Sequence, residues 1–226
     1  MAITLAFDVY GTLIDTHGIL DQLQDMVGDD ARNFSQDWRD KQLEYSFRRG
    51  LMQNYEDFSV CTSQALDYIC GLYNEPLSDG QKQELLLQYR SLPAFDDVTE
   101  ALTRLNAADF RLFAFSNGTE ETVTRLLQSA DIDHFFRGVV SVDDLKTFKP
   151  NPAAYAHFLR KSGAQHHSAW LVSSNPFDVI GAISAGMSSV WVRRTKAALF
   201  DTWGIQPTLT VERLTELPEQ LGKYSG

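Results

Sequence analysis

The stretch Ile3-Thr4-Leu5-Ala6-Phe7-Asp8-Val9-Tyr10-Gly11-Thr12-Leu13 decides how the rest of the chain is read. Its first five residues are apolar or β-branched and read as a buried strand. Asp8 closes that strand, so its carboxylate sits at the carboxyl end, the edge where open α/β sheets bind ligands. A carboxylate in that position can act as a nucleophile and form an ester or an acyl phosphate. A turn aspartate or a helix cap is the plainer reading of the same residue. Gly11 permits the positive φ of a tight turn. Thr12 can hydrogen-bond the nucleophile or brace the loop, or be an ordinary turn threonine.

After that strand, about seventy residues carry helical spacing and no strong strand pattern. Leu20, Leu23, Met26 and Val27 recur at three- and four-residue steps. Trp38, Leu43, Tyr45 and Phe47 lie in a second such segment, and Val60, Ala65, Leu66 and Ile69 in a third. Pro76 to Gly80 reads as a loop leading into Gln81 to Tyr89. The block reads as a helical cap inserted over the sheet edge, with Pro93 marking the return. The expected division is an α/β core of residues 1–16 and 93–226, and a cap of residues 17–92.

Beyond Pro93, helix and strand alternate. Helices are expected over Val98 to Leu105, Thr119 to Ala130, Pro152 to Lys161 and Phe177 to Ala185. Strands are expected over Arg111 to Phe115, Gly138 to Val142, Ala169 to Val172 and Ser189 to Val192, with a short edge strand at Thr208 to Val211. This alternation predicts a Rossmann-like parallel sheet with helices on both faces. Four strand ends then converge: Asp8, Ser116, the Lys149 loop, and Ser173 to Asp178. Side chains far apart in sequence meet along such an edge.

The chain has 226 residues, 43% of them hydrophobic, enough for one large domain or a domain with an insert. No apolar run approaches the ~20 residues that cross a bilayer, and the N-terminus lacks a signal-peptide pattern. Cys61 and Cys70 have no metal-ligand spacing and read as buried free thiols, which points to a cytoplasmic location. Thirty acidic residues against twenty Lys and Arg give a net charge of −10. That argues against nucleic acid or an anionic membrane as partner. An anionic substrate would need local cations, which draws attention to Arg39 and Lys149.

Four segments together resemble the haloacid dehalogenase superfamily, and within it the L-2-haloacid dehalogenases: FDVYGTLID (Phe7 to Asp15), FSNGT (Phe115 to Thr119), KTFKPNPAAY (Lys146 to Tyr155) and LVSSNPFD (Leu171 to Asp178). A fifth, WRDKQLEYS (Trp38 to Ser46), looks like the arginine-bearing helix of the dehalogenase branch. The resemblance runs from about Ile3 to Arg194.

It implies a nucleophilic Asp8, a Lys149 that contacts it, a Ser116 that holds the substrate carboxylate, and an Arg39 that receives the departing halide. It brings Thr12, Tyr155, Ser173, Asn175 and Asp178 into the catalytic set, Asp178 orienting or deprotonating the hydrolytic water beside Asn175. Val9, Tyr10, Leu43, Phe58, Asn117 and Phe177 are implied around the substrate with Arg39 and Ser116. Each has an ordinary role as well: core packing for the apolar residues and Tyr155, a helix cap for Ser116, a first-turn helix acid for Asp178. Asp40, beside Arg39, stands where some relatives carry a neutral amide.

Magnesium-dependent phosphatases of the superfamily carry acids where Tyr10 and Ser174 stand. One protonates the leaving alkoxide and the other helps hold the metal. A halide needs no proton to leave. The resemblance therefore implies a small 2-haloalkanoate as substrate, with no metal or organic cofactor, and it leaves a homodimer open. A phosphatase of the same superfamily is the alternative, and a binding module with a relic site a more distant one.

Overall fold

The computed structural model describes residues 3–224. Six strands form one parallel sheet: β1 (Thr4–Phe7), β2 (Arg111–Ser116), β3 (Val139–Ser141), β4 (Ala169–Ser173), β5 (Ser188–Val192) and β6 (Leu209–Val211). Their order is β3-β2-β1-β4-β5-β6. The chain steps outward from β1 to one side and returns to the other, so the strand order reverses beside β1. Phe7 pairs with Ala114 on one side and Val172 on the other. Asp8, Ser116 and Ser173 are thereby carried to the same edge, in the crevice that such a reversal opens.

Between β1 and β2 lie α1 (Leu20–Val27), α2 (Ala31–Met52), α3 (Phe58–Tyr73) and α4 (Asp79–Gln88). The boundaries follow local chemistry. Asp57 caps α3 by accepting from the Ser59 and Val60 N–H groups. Ser78 and Gln81 form a reciprocal capping box on α4. Gln53 and Asn74 end α2 and α3 in left-handed conformation. The 22-residue α2 packs on α3 and buries Phe34 and Trp38. The Trp38 indole donates to the Thr62 carbonyl at 2.8 Å, so its polar edge is satisfied inside the core.

The remaining helices are α5 (Val98–Ala107), α6 (Glu120–Ser129), α7 (Pro152–Ser162), α8 (Pro176–Ser184) and α9 (Leu217–Gly222). One apolar cluster joins α5, α6 and α9 to the sheet and continues through Tyr10, Leu13 and Ile14 to the residues of α1 to α4. A second cluster sets Tyr155, Phe158 and Leu159 of α7 and Ala182 of α8 against Ala6, Phe115 and Leu171. Each fully buried side chain of this kind contributes about 1.5–3 kcal/mol.

The expected elements are present, with ends displaced by one or two residues, as fraying allows. The sequence reading did not anticipate α9, a turn and a half that buries Leu217 and Leu221. Cys61 and Cys70 are free and buried. Among the described residues no helix is long and apolar enough to cross a membrane.

Candidate active site

Asp8 is 7% exposed, and its two carboxylate oxygens are treated differently. Oδ1 accepts a single bond, from Lys149 Nζ at 2.8 Å. Oδ2 accepts three, from Thr12 Oγ1 at 2.8 Å, Ser173 Oγ at 3.1 Å and Asn175 Nδ2 at 2.7 Å. Gly11, at φ 82°, turns the chain so that Thr12 comes back over the strand end. Burial works against this carboxylate. The Lys149 charge, its hydrogen bond and the Thr12 hydroxyl outweigh burial and hold the carboxyl below its ordinary range.

Lys149 is 1% exposed and spends all three N–H donors inside the protein. Besides Asp8 it reaches Asp178 Oδ2 at 2.7 Å and the Phe115 carbonyl at 3.1 Å. Its own backbone N–H is held by Asn117 Oδ1 at 2.9 Å. Burial would discharge the amine, but Asp178 and Asp8 together push its proton affinity up. The fully buried Asp178 takes a second bond on Oδ1, from the Tyr155 hydroxyl at 2.8 Å. Burial first, then the neighbouring Asp8 charge, push its carboxyl up to about 6 against the opposing pull of Lys149. A Cβ at Gly181 would collide with that Tyr155 hydroxyl, so α8 can approach α7 this closely only with glycine there.

Arg39 arrives from α2. Its Nη1 donates to Gln42 Oε1 at 2.6 Å and its Nη2 to the Tyr10 carbonyl at 3.4 Å. Asn175 Nδ2 shares that carbonyl at 3.3 Å, which ties the helical segment to the Asp8 loop. Gln42 is buried, with its amide on Thr62 and its oxygen also reached by Tyr89 Oη at 3.3 Å. Asp40 is exposed and accepts from Gln36 along its own helix, while the Arg39 charge bears on its carboxyl and opposes the upward push of burial. Arg39 thus donates to neutral partners, and its charge bears on the Asp8 and Asp40 carboxylates.

Asp8, Thr12, Lys149, Tyr155, Ser173, Asn175 and Asp178 therefore form one hydrogen-bonded cluster, and Arg39 borders it. Ser116 Oγ accepts from the Gly118 N–H at 3.1 Å, which leaves its own O–H to donate. Asn117 is turned to the Lys149 backbone by its side chain. Tyr10 packs against Phe58 and Tyr89, with ring centroids 5.8 Å from each. Phe177 instead meets Phe47, at 4.9 Å. Leu43 is half-buried on α2. Val9 lies in the core, and its carbonyl closes the loop by accepting from Thr12, Leu13 and Ile14.

The family model of the haloacid dehalogenase-like hydrolases matches residues 4–186. The chain belongs to that family. A haloacetate dehalogenase, H-2, of Moraxella sp. (strain B) is 36% identical over 92% of each chain. (S)-2-haloacid dehalogenase 4A of Burkholderia cepacia is 36% identical over 83% of this chain and 81% of that one. The L-2-haloacid dehalogenase of Xanthobacter autotrophicus, with chloropropionic acid covalently bound, superposes over the whole of both chains with a TM-score of 0.92 at 29% identity.

For a haloacid dehalogenase-like hydrolase the positions without acids are informative. Ser174 donates its hydroxyl to the Gly11 carbonyl at 2.8 Å and its backbone N–H to Thr12 Oγ1 at 2.9 Å, while Tyr10 is committed to its aromatic neighbours. Among the described residues, no three His, Cys, Asp or Glu side chains group as metal ligands.

Several supporting residues escaped sequence reasoning. Gln42 looked like any helix glutamine. Trp191, inside the strand expected over Ser189 to Val192, donates from Nε1 to the Ser174 carbonyl at 3.1 Å. Arg194 pairs with buried Asp97 through Nη1 at 2.8 and 2.9 Å, and its Nη2 donates to the Thr12 carbonyl. The only available signal was position, since Trp191 lies near the carboxyl end of β5 and Arg194 just past it.

Proposed function

We propose that this chain is an (S)-2-haloacid dehalogenase, acting on short 2-haloalkanoates through an ester on Asp8 and needing no metal or organic cofactor. The observation that carries the reading is the asymmetry of the Asp8 carboxylate. Oδ1 has one donor and a lone pair to spare, so it is the attacking oxygen. Oδ2 already sits in a nest of three donors.

Oδ1 forms a bond to C2 of the substrate from the side opposite the halogen. The carbon–halogen bond breaks and halide leaves with the electron pair, toward Arg39. Ser116 and the neighbouring backbone N–H groups hold the substrate carboxylate, because Lys149 has no donor to give. Water then adds to the Asp8 carbonyl carbon and passes a proton to Asp178. Negative charge develops on Oδ2, where Thr12, Ser173 and Asn175 receive it. The bond from the carbonyl carbon to Oδ1 breaks, and the oxygen leaves with C2, taking the proton to become the hydroxyl of an (R)-2-hydroxyacid. Residues 17–92 act as the cap that supplies Arg39, and residues 1–16 and 93–226 as the core that supplies the rest. The match to the relatives' activity supports this assignment, and the missing acids at Tyr10 and Ser174 weigh against phosphoryl transfer.

The test is halide release from each enantiomer of 2-chloropropionate, with and without excess chelator. The (S) enantiomer should release chloride at the same rate in both. Activity lost to chelator and restored by Mg²⁺ would overturn the reading.

Two further expectations follow from the geometry. Arg39→Lys should lower kcat by about tenfold or more, since an ammonium cannot reproduce the planar donor set as charge grows on the halogen. An unchanged kcat with chloride and bromide substrates would remove Arg39 from the halide site. Asp178 must be ionised to accept the water's proton, and its carboxyl stands at about 6 in the resting site. Protonation of Asp178 during the life of the ester therefore removes the base. Steady-state kcat should fall on the acid side, below the value at which Asp178 titrates in the resting site, while the first-turnover burst of halide persists, and a burst that disappears together with kcat would exclude Asp178 as the base of the second step.

A further inference from the structure

A cavity of about 260 Å³ is lined by Tyr10, two residues past Asp8, and by residues of α3, α4 and α6. Phe58, Val60, Tyr89 and Gly118 wall it, and Arg90 stands on its lining just past the end of α4. Arg90 is exposed, and among the described residues no hydrogen bond or ion pair engages its guanidinium. The acids around it are otherwise occupied. Asp57, on the same lining, is turned to the α3 N-terminus, where it accepts from the Ser59 N–H at 2.8 Å and the Ser59 hydroxyl at 2.6 Å. Glu121, on the neighbouring surface, pairs with Arg125 at 2.6 Å. Arg90 is near enough to Tyr10 that its charge bears on the buried phenol, opposing the upward push of burial and of Tyr89.

The protein as a whole carries a net charge of −10, which repels any carboxylate. The interior cation Lys149 is bonded to two carboxylates and offers no outward attraction. Arg39 at the site offsets this, and so does the unpaired guanidinium of Arg90 on the wall of a cavity that Tyr10 also lines. We propose that the cavity is the substrate's vestibule and that Arg90 is a specificity-determining residue which draws the haloalkanoate anion into it. The proposal rests on the haloacid reading of the site. Arg90 touches neither the reacting atoms nor the halide; it raises the local concentration of carboxylate and stabilises its bound state at a distance.

The experiment compares the wild type with Arg90→Gln and Arg90→Lys, using (S)-2-chloropropionate for kinetics and propionate, an anion with no halogen to lose, for calorimetric binding. At low salt Arg90→Gln should raise KM and the propionate Kd about fivefold, the size of one partly screened charge contact, and leave kcat in place. The difference should disappear at about 1 M salt, where the screening length is ~3 Å, and Arg90→Lys should restore most of the affinity because only the charge is required. Unchanged KM and Kd in Arg90→Gln would overturn the proposal, as would a fall in kcat. A wild type that releases halide from no 2-haloacid would instead sink the haloacid reading, and the propionate titration would still decide the role of Arg90.

Discussion

Asp8→Asn lowers kcat by about 10³-fold or more, the expected cost of deleting a covalent nucleophile. The amide is nearly isosteric, so the nest around Oδ2 stays formed and the loss is one of chemistry. The companion measurement follows oxygen. In a single turnover in ¹⁸O-water, with enzyme in excess, Oδ1 of Asp8 becomes the product hydroxyl and solvent oxygen refills the carboxylate. The hydroxyacid should emerge largely unlabelled and Asp8 labelled, and later turnovers should pass the label on. A first product carrying full label would mean that water attacks C2 directly. Asp8 would then be at most a general base, and the Oδ1 and Oδ2 assignments would fall with the ester.

Lys149→Met removes a buried cation from between two carboxylates while keeping the side chain's length. Asp8 and Asp178 then face one another with no positive charge between them, since both now bond the same ammonium, at 2.8 and 2.7 Å. Breaking a buried pair in this way costs about 3–5 kcal/mol, and activity should fall by at least about 10²-fold as the nucleophile loses its ionised form. The pH dependence gives the sign. The folded Asp178 carboxyl already stands above its unfolded value, at about 6. Its contribution to stability is present at low pH and lost as pH rises through that range. Without Lys149 the carboxyl rises further, so the loss continues above 6. Urea denaturation should therefore show a larger deficit at pH 7 than at pH 5, and Lys149→Met with Asp178→Asn should recover part of it. An equal deficit at both values would mean that the cost is one of packing.

What could be read from the sequence was whatever depends on local pattern. The apolar run before Asp8, the alternation after Pro93 and the strand-end positions of Ser116 and Ser173 each follow from periodicity and turn chemistry. Turn chemistry left Thr12 open between partner of the nucleophile, loop brace and plain turn residue, and the family resemblance placed it in the catalytic set. The unread part depends on which distant surfaces meet. Gln42 is polar and lies in a helix rich in charge, yet the packing of α2 on α3 buries it between Arg39, Thr62 and Tyr89. Asp97 and Arg194 lie far apart in the chain and are joined only because α5 and the end of β5 flank the same loop. Strand order was beyond reach for the same reason: alternation predicts a parallel sheet but not which neighbour each strand takes.

Lys149 has one further consequence, which concerns time. At rest a single ammonium serves two carboxylates, and burial first, then the Asp8 charge beside it, make Asp178 hold its proton more tightly. Alkylation erases that neighbour's charge. During the life of the ester, Lys149 and Asp178 become a matched pair, and the carboxyl of Asp178 drops below its resting value. The base therefore stays ionised over a wider acid range at the stage where it is needed. The acid limb of kcat should lie below the value at which Asp178 titrates in the free protein. When hydrolysis restores the Asp8 carboxylate, the repulsion returns and resets the base. A fixed lysine between a reacting and a non-reacting carboxylate thus works as a phase marker, tuning the second acid according to whether the first is free or bound.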